Sequence, residues 1–211
     1  MKPTVFLLAL LLAAGALSAC MELNLQKPPV EKRYYVIEPD NIPAPGEVSG
    51  AEERVLSVRN IRVSDTFDGA NLVYRTGEFE WRSDYYNHFF IPPHSMLTGA
   101  VREALADSGL FSQVLSDGSI LGPTHFLEGS VTSMYGDFSR KESPAAVLEM
   151  EFLLLDDRGG SPSVLLEKAY RSRLPLQETT PEALVDGLGR GFTQIMQELQ
   201  QDIVNALKGQ S

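Results

Sequence analysis

The stretch Thr180–Leu207, TPEALVDGLGRGFTQIMQELQQDIVNAL, decides the fold. Thr180 stands where an N-cap hydroxyl accepts a free amide of the first turn. Pro181 suits the first helical position, where no amide proton is needed, and Glu182 sets a negative charge against the helix N-terminus. Leu184, Leu188, Phe192, Ile195, Leu199, Ile203 and Leu207 then recur at helical spacing, and Val185 and Met196 widen the stripe. A helix from Pro181 to Leu207 runs about 40 Å. That length crosses a whole sheet. Inside it lies GLGRG, residues 187–191, but a phosphate-binding glycine loop follows a strand and opens a helix, whereas these glycines sit within one. Each costs about 1 kcal/mol against alanine in a helix. A close approach to the sheet, or a kink, is the expected compensation.

The chain upstream supplies the sheet. RYYVIEP (33–39) reads as a first strand, and the Pro/Gly-rich acidic stretch Asp40–Gly50 as a loop. RVLSVRNIRVSD (54–65) alternates through Val55, Ser57, Arg59, Ile61 and Val63, with a phase slip expected near Asn60. NLVYRTGEFEWRSDYY (71–86) holds Gly77 between two β-prone runs and predicts a hairpin. A first helix is expected from about Pro93, with Met96, Leu97, Ala100, Val101, Ala104 and Leu105 on its apolar face, Ser95 as a cap and Gly109 at its C′ position. FSQVL, HFLEGSVTSMYGDF, AVLEMEFLLLDD and SVLLEKAYRSRLPL follow as antiparallel strands with one wet face, the last two joined by DDRGGSPS. Strands, a helix, strands and a helix make one α/β (α+β) domain with a mixed, largely antiparallel sheet.

At the other end stands MKPTVFLLALLLAAGALSAC, with a short basic start, an apolar run and small residues before Cys20, the only cysteine. Those are the parts of a secretory signal, and the run is short for a membrane span of about 20 residues. The order Leu17, Ser18, Ala19, Cys20 resembles the lipobox of bacterial lipoproteins. It implies cleavage before Cys20, a diacylglycerol on its thiol and an acylated amino group. Three chains give permanent attachment where one gives only marginal binding. The expected organisation is a signal peptide over 1–19, a lipidated cysteine and tether over 20–32 ending beyond Pro28-Pro29, and a domain over 33–211. Met21 is not the aspartate that resembles an inner-membrane retention signal, which implies the periplasmic face of an outer membrane.

Composition narrows the partners. Cleavage leaves 192 of 211 residues, enough for a proper core, and loss of Lys2 moves the net charge from −10 to −11. Such a surface repels phosphate backbones, so no nucleic acid is expected. Lipid contact is expected through acyl groups or an apolar groove, not a basic patch. Without a second cysteine the fold stands on burial alone.

Chemistry-bearing residues are sparse. His88, His94 and His125 form no HExxH or i, i+4 pair, and no GxSxG is present. They are expected on loops or the surface; no metal and no cofactor are expected beyond the lipid on Cys20, and the chain is read as no enzyme. DYYNHFF (84–90) is the stretch most suited to recognition, because aromatic residues are enriched at binding hot spots. Tyr85, Tyr86, Phe89 and Phe90 are candidate partner-binding residues wherever they escape the core.

The lipobox, RYYVIEP, LVYR (72–75), IPPHSMLTGAVREALADSGLFSQV (91–114) and the C-terminal amphipathic helix, in this order, resemble the ABC-type transport auxiliary lipoproteins, which include PqiC-like proteins. The resemblance covers nearly the whole mature chain. Many members carry a tryptophan shortly before the prolines, whereas Phe89 and Phe90 stand there in this chain and Trp81 lies earlier. The resemblance implies a fold reminiscent of the TolB amino-terminal, anticodon-binding-like architecture. It also implies a place beside an ABC transporter with an MCE-type periplasmic protein, moving lipids or other hydrophobic compounds between membranes. A homo-oligomer is compatible with it. The alternatives are a structural or assembly lipoprotein of another envelope complex, and a periplasmic hydrolase with a dispersed site.

Overall fold

In the computed structural model, which describes residues 31–209 apart from Glu47, the first half runs β1 (Arg33–Tyr35), β2 (Val55–Val58), β3 (Arg62–Val63), β4 (Asn71–Arg75), β5 (Trp81–Phe89) and α1 (Pro93–Asp107). The second runs β6 (Gln113–Ser116), β7 (His125–Asp137), β8 (Ala145–Asp156), β9 (Ser163–Pro175) and α2 (Pro181–Lys208). The expected signal peptide, Cys20 and the tether through Val30 lie outside the described residues.

β7 is the spine. Along one edge it pairs antiparallel with β8 over its full length, and β8 pairs antiparallel with β9. Its other edge takes three short strands in turn, all parallel: β2 at 125–127, β3 at 130–131 and β4 at 136–137. β6, the FSQVL strand expected to run antiparallel, instead extends the sheet beyond β2 in parallel, while β5 and then β1 extend it beyond β4. The phase slip near Asn60 is what separates β2 from β3. There Ile61 turns inward, 1% exposed, and its amide donates to Thr98 Oγ1 of α1 at 2.9 Å. The first strand is shorter than RYYVIEP, because Ile37 leaves the sheet and its amide donates to Met96 Sδ.

Both helices cover one face of this sheet. Leu127, Val131, Leu148, Met150, Phe152 and Leu154 are buried on that side. Neighbouring positions Glu128, Ser130, Glu151 and Glu167 line the opposite, wet face. The alternation carried in the last strands therefore sorts one apolar and one polar face, as a period of two requires. α1 ends on Ser108, with Gly109 in the left-handed region at φ 70°. Ser95 does not cap it: Pro92 occupies the N-cap, and the Ser95 amide donates to the Pro92 carbonyl. α2 begins as expected, with Thr180 Oγ1 accepting from the Ala183 amide. Gln200 Nε2 reaches the Ala104 carbonyl of α1 at 2.9 Å and ties the helices together.

The GLGRG glycines mark close approach. A Cβ on Gly187 would lie 2.7 Å from Ala146 Cβ and from Leu176 Cδ2. One on Gly189 would lie 2.6 Å from the Glu38 carbonyl, because the segment after β1 straps across the helix there. The Asp40 amide completes the strap by donating to Thr193 Oγ1 at 2.9 Å. Among the described residues the buried apolar core runs from Ile37 to Leu207.

Candidate partner-binding site

The DYYNHFF stretch ends β5, and its geometry follows from Asp84. The β4–β5 pairing breaks between Asn71↔His88 and Val73↔Ser83, so residues 84–87 bulge out of register. Asp84 organises the bulge: Oδ1 accepts from the Tyr86 and Asn87 amides at 2.9 and 3.1 Å, and Oδ2 from Asn87 Nδ2 and the Tyr74 hydroxyl at 2.8 and 3.0 Å. Burial opposes its ionisation, but these hydrogen bonds outweigh burial and hold the carboxyl below its ordinary value. A bulge re-aims side chains. Here it throws two consecutive tyrosines outward, packed edge to face at 5.1 Å.

Beyond the bulge the pleat resumes and splits the remaining aromatics. Phe89 is 3% exposed and belongs to the core, so it leaves the candidate set: its register against Tyr35 turns it to the helix side. Phe90 is 70% exposed, and its amide donates to the Tyr35 carbonyl. Tyr34 of the edge strand β1 meets Phe90 edge to face at 6.1 Å and the His88 ring at 5.9 Å. Val36 and Ile91 are exposed beside them, and Lys32 Nζ sits 5.1 Å over the Tyr85 ring. The result is an apolar, aromatic edge formed by Tyr34, Tyr85, Tyr86, Phe90 and Ile91. Tyr34 was not legible as part of it, since only the parallel β1–β5 pairing brings residue 34 beside residue 90. Arg33 Nη1 and the Tyr35 hydroxyl both donate to Glu182 Oε1, at 2.9 and 2.8 Å, and pin this edge to the start of α2. Burial foremost, then Glu182, pushes the Tyr35 hydroxyl up to about 12.

The histidines do not converge. His94 Nδ1 lies 2.8 Å from Asp68 Oδ1 at the start of α1. His88 Nε2 lies 2.8 Å from the Tyr85 carbonyl inside the aromatic edge. His125, expected on a loop or the surface, is fully buried beside Phe111, with Nδ1 2.8 Å from Thr124 Oγ1 and Nε2 without a hydrogen-bond partner among the described residues. Among the described residues no group of three His, Cys, Asp or Glu side chains is placed to hold a metal ion, and no helix is long and apolar enough to cross a membrane.

No curated protein matches the chain in sequence. Among solved structures it is similar to a Xanthomonas campestris protein, with a TM-score of 0.65 and 19% identity over 84% of this chain and 98% of that one. It is also similar to a hypothetical protein of Chlamydia trachomatis, with a TM-score of 0.52 and 9% identity over 74% of this chain and 98% of that one. At those identities the likeness concerns the fold. The family described as the ABC-type transport auxiliary lipoprotein component matches residues 35–200, from the last residue of β1 into the last third of α2. The chain therefore belongs to the ABC-type transport auxiliary lipoprotein component family.

Proposed function

We propose that this protein is a non-catalytic subunit of an ABC-type lipid or hydrophobic-compound transport system, anchored through Cys20 to the periplasmic face of the outer membrane, where it docks an MCE-type partner. The observation that carries the reading is the exposed aromatic edge of Tyr34, Tyr85, Tyr86, Phe90 and Ile91, placed where the chain enters the domain. Interfaces concentrate binding energy in such aromatics, surrounded by a polar rim that excludes water. Lys32, Arg33 and Glu182 supply that rim. No side chain in it is an activated nucleophile, which suits a docking surface better than a reaction centre.

The test is a pull-down of the MCE-type partner with Tyr34→Ala, Tyr85→Ala, Tyr86→Ala and Phe90→Ala, each checked for its melting temperature. Truncating a central interface aromatic costs about 2 kcal/mol or more, or about thirtyfold in affinity. At least two of the four are expected to reach that loss with melting unchanged, whereas Phe89→Ala is expected to lower the melting temperature. Wild-type binding by all four surface variants would overturn the assignment.

A further inference from the structure

At the opposite end of β5 from Phe90, the wet face of the sheet carries a second site of different chemistry. Arg75, Arg140 and Arg173 line a cleft of about 670 Å³ together with Glu78, Asp137 and Ser139. The register builds it: Arg75 stands beside Asp137, the last residue of β7, and Arg173 comes from the end of β9 two strands away. Asp137 is already engaged, Oδ2 with Arg173 Nη1 at 2.8 Å and Oδ1 with the Ser139 amide and hydroxyl. Although burial works against its ionisation, these partners hold its carboxyl below the ordinary value. Its charge is spent within the fold, while the Arg140 guanidinium has no hydrogen bond or ion pair among the described residues; its carbonyl accepts from the Ser143 amide.

Arg75 links the cleft to the β4–β5 turn. Its Nε and Nη2 donate to the Gly77 and Glu78 carbonyls at 3.2 and 3.0 Å, which fixes the turn that carries Phe79. Phe79 is 87% exposed, the most exposed aromatic side chain of the described domain, and Trp81 stands behind it, its ring 4.8 Å from that of Tyr135. An unsupported phenylalanine at a rigid turn beside a cluster of guanidinium groups is the pairing found at a lipid–water boundary. There, aromatic rings enter the head-group region and cations meet phosphate. The net charge of −10 argued against a basic patch, yet three arginines gather in this cleft, opposed only by Glu78 and the already engaged Asp137.

We propose that this end of the sheet binds phospholipid head groups, with phosphate oxygens held by Arg75, Arg140 and Arg173 and Phe79 inserted at the acyl boundary. Guanidinium forks suit phosphate because they offer paired donors in one plane. The site is separate from the aromatic edge and does not rest on it. It would give the domain a membrane contact of its own in addition to the acyl anchor.

The experiment uses residues 31–211, which hold the buried core found among the described residues, fold checked by circular dichroism, and lack Cys20, in flotation with vesicles of phosphatidylethanolamine containing phosphatidylglycerol. Wild type is expected to float with the vesicles and to be released by high salt, because screening weakens exposed charge pairs. Arg140→Glu is expected to weaken binding about tenfold or more, as one basic side chain near an anionic surface is worth about fivefold and reversal adds to that. Phe79→Ser is expected to weaken binding by a comparable factor, and neither variant should alter melting. Lys208→Glu makes the same charge change elsewhere and is expected to bind as wild type. Calorimetry with inorganic phosphate separates the sources. Phosphate binding that depends on Arg140 without vesicle flotation would mark a free-phosphate site and overturn the lipid assignment. So would absence of flotation by wild type, or an equal loss in Lys208→Glu.

Discussion

His125 shows how far a residue's surroundings can move its chemistry. In the sequence it is one of three scattered histidines; in the fold it is fully buried at the start of β7, beside Leu56 of β2, with its ring 5.9 Å from that of Phe111. Burial, which opposes charging, leads the causes that lower its pKa from 6.5 to about 4, and the nearby carboxylate of Asp156 restores only part. Between those values the unfolded chain binds more protons than the folded one, so stability rises with pH. The contribution is whole above pH 6.5 and is lost progressively as the pH falls toward 4, for a total of about 3 kcal/mol. Melting temperatures of wild type and His125→Gln between pH 7.5 and 4.5 are expected to diverge, the wild type falling more steeply. Parallel curves would show that other groups carry the acid limb.

At the scale of elements, α2 is the case where local propensity and packing pull apart. Gly187, Gly189 and Gly191 weaken it as an isolated helix, yet all three are buried, and each takes a neighbour where a side chain would stand. The contact at Gly189 is backbone, the Glu38 carbonyl, which cannot rotate away as a side chain does. Gly189→Ala is therefore expected to destabilise the domain by about 1–3 kcal/mol through overpacking, despite the better helix former. Gly99 in α1 is the control: a Cβ there meets nothing within 4 Å. Gly99→Ala is expected to be neutral or to stabilise by up to about 1 kcal/mol, and denaturant melts of the two variants read the contrast directly. Equal effects of the two would mean that the strap gives way and the approach is not tight.

For the whole molecule, the question is how the anchor proposed at Cys20 would serve the two exposed surfaces. A tether of about ten residues reaches at most about 35 Å, so a domain held by Cys20 works near the membrane that holds it. The aromatic edge begins at β1, where the chain enters, and the arginine cleft lies at the far end of β5. Cys20→Ser is expected to abolish labelling by palmitate, leave the precursor uncut and release the docking function from the outer-membrane fraction while the domain still folds. Labelling that persists in the variant would overturn the lipid attachment at Cys20.

The order of elements, the N-cap of α2, the hairpin about Gly77 and the two-faced strands were all written in local spacing, because a helix and a half-buried strand impose periods of 3.6 and 2 on whatever sequence forms them. Even the close approach at GLGRG could be anticipated, since glycines inside a strong helix need a packing reason. Nothing local distinguished Phe89 from Phe90, or told that Tyr34 would join the second and not the first. That sorting depended on a bulge pinned by Asp84 and on a parallel pairing between strands 54 residues apart at Tyr34↔His88. The arginine cleft is the same kind of result. Arg75, Arg140 and Arg173 lie on β4, the β7–β8 connection and β9, and only the lateral order of strands around β7 sets them on one wall. Periodicity is a property of consecutive residues and can be read along the chain, whereas strand order and register are set by which long-range contacts bury the most apolar surface together, and those exist only once the chain has folded.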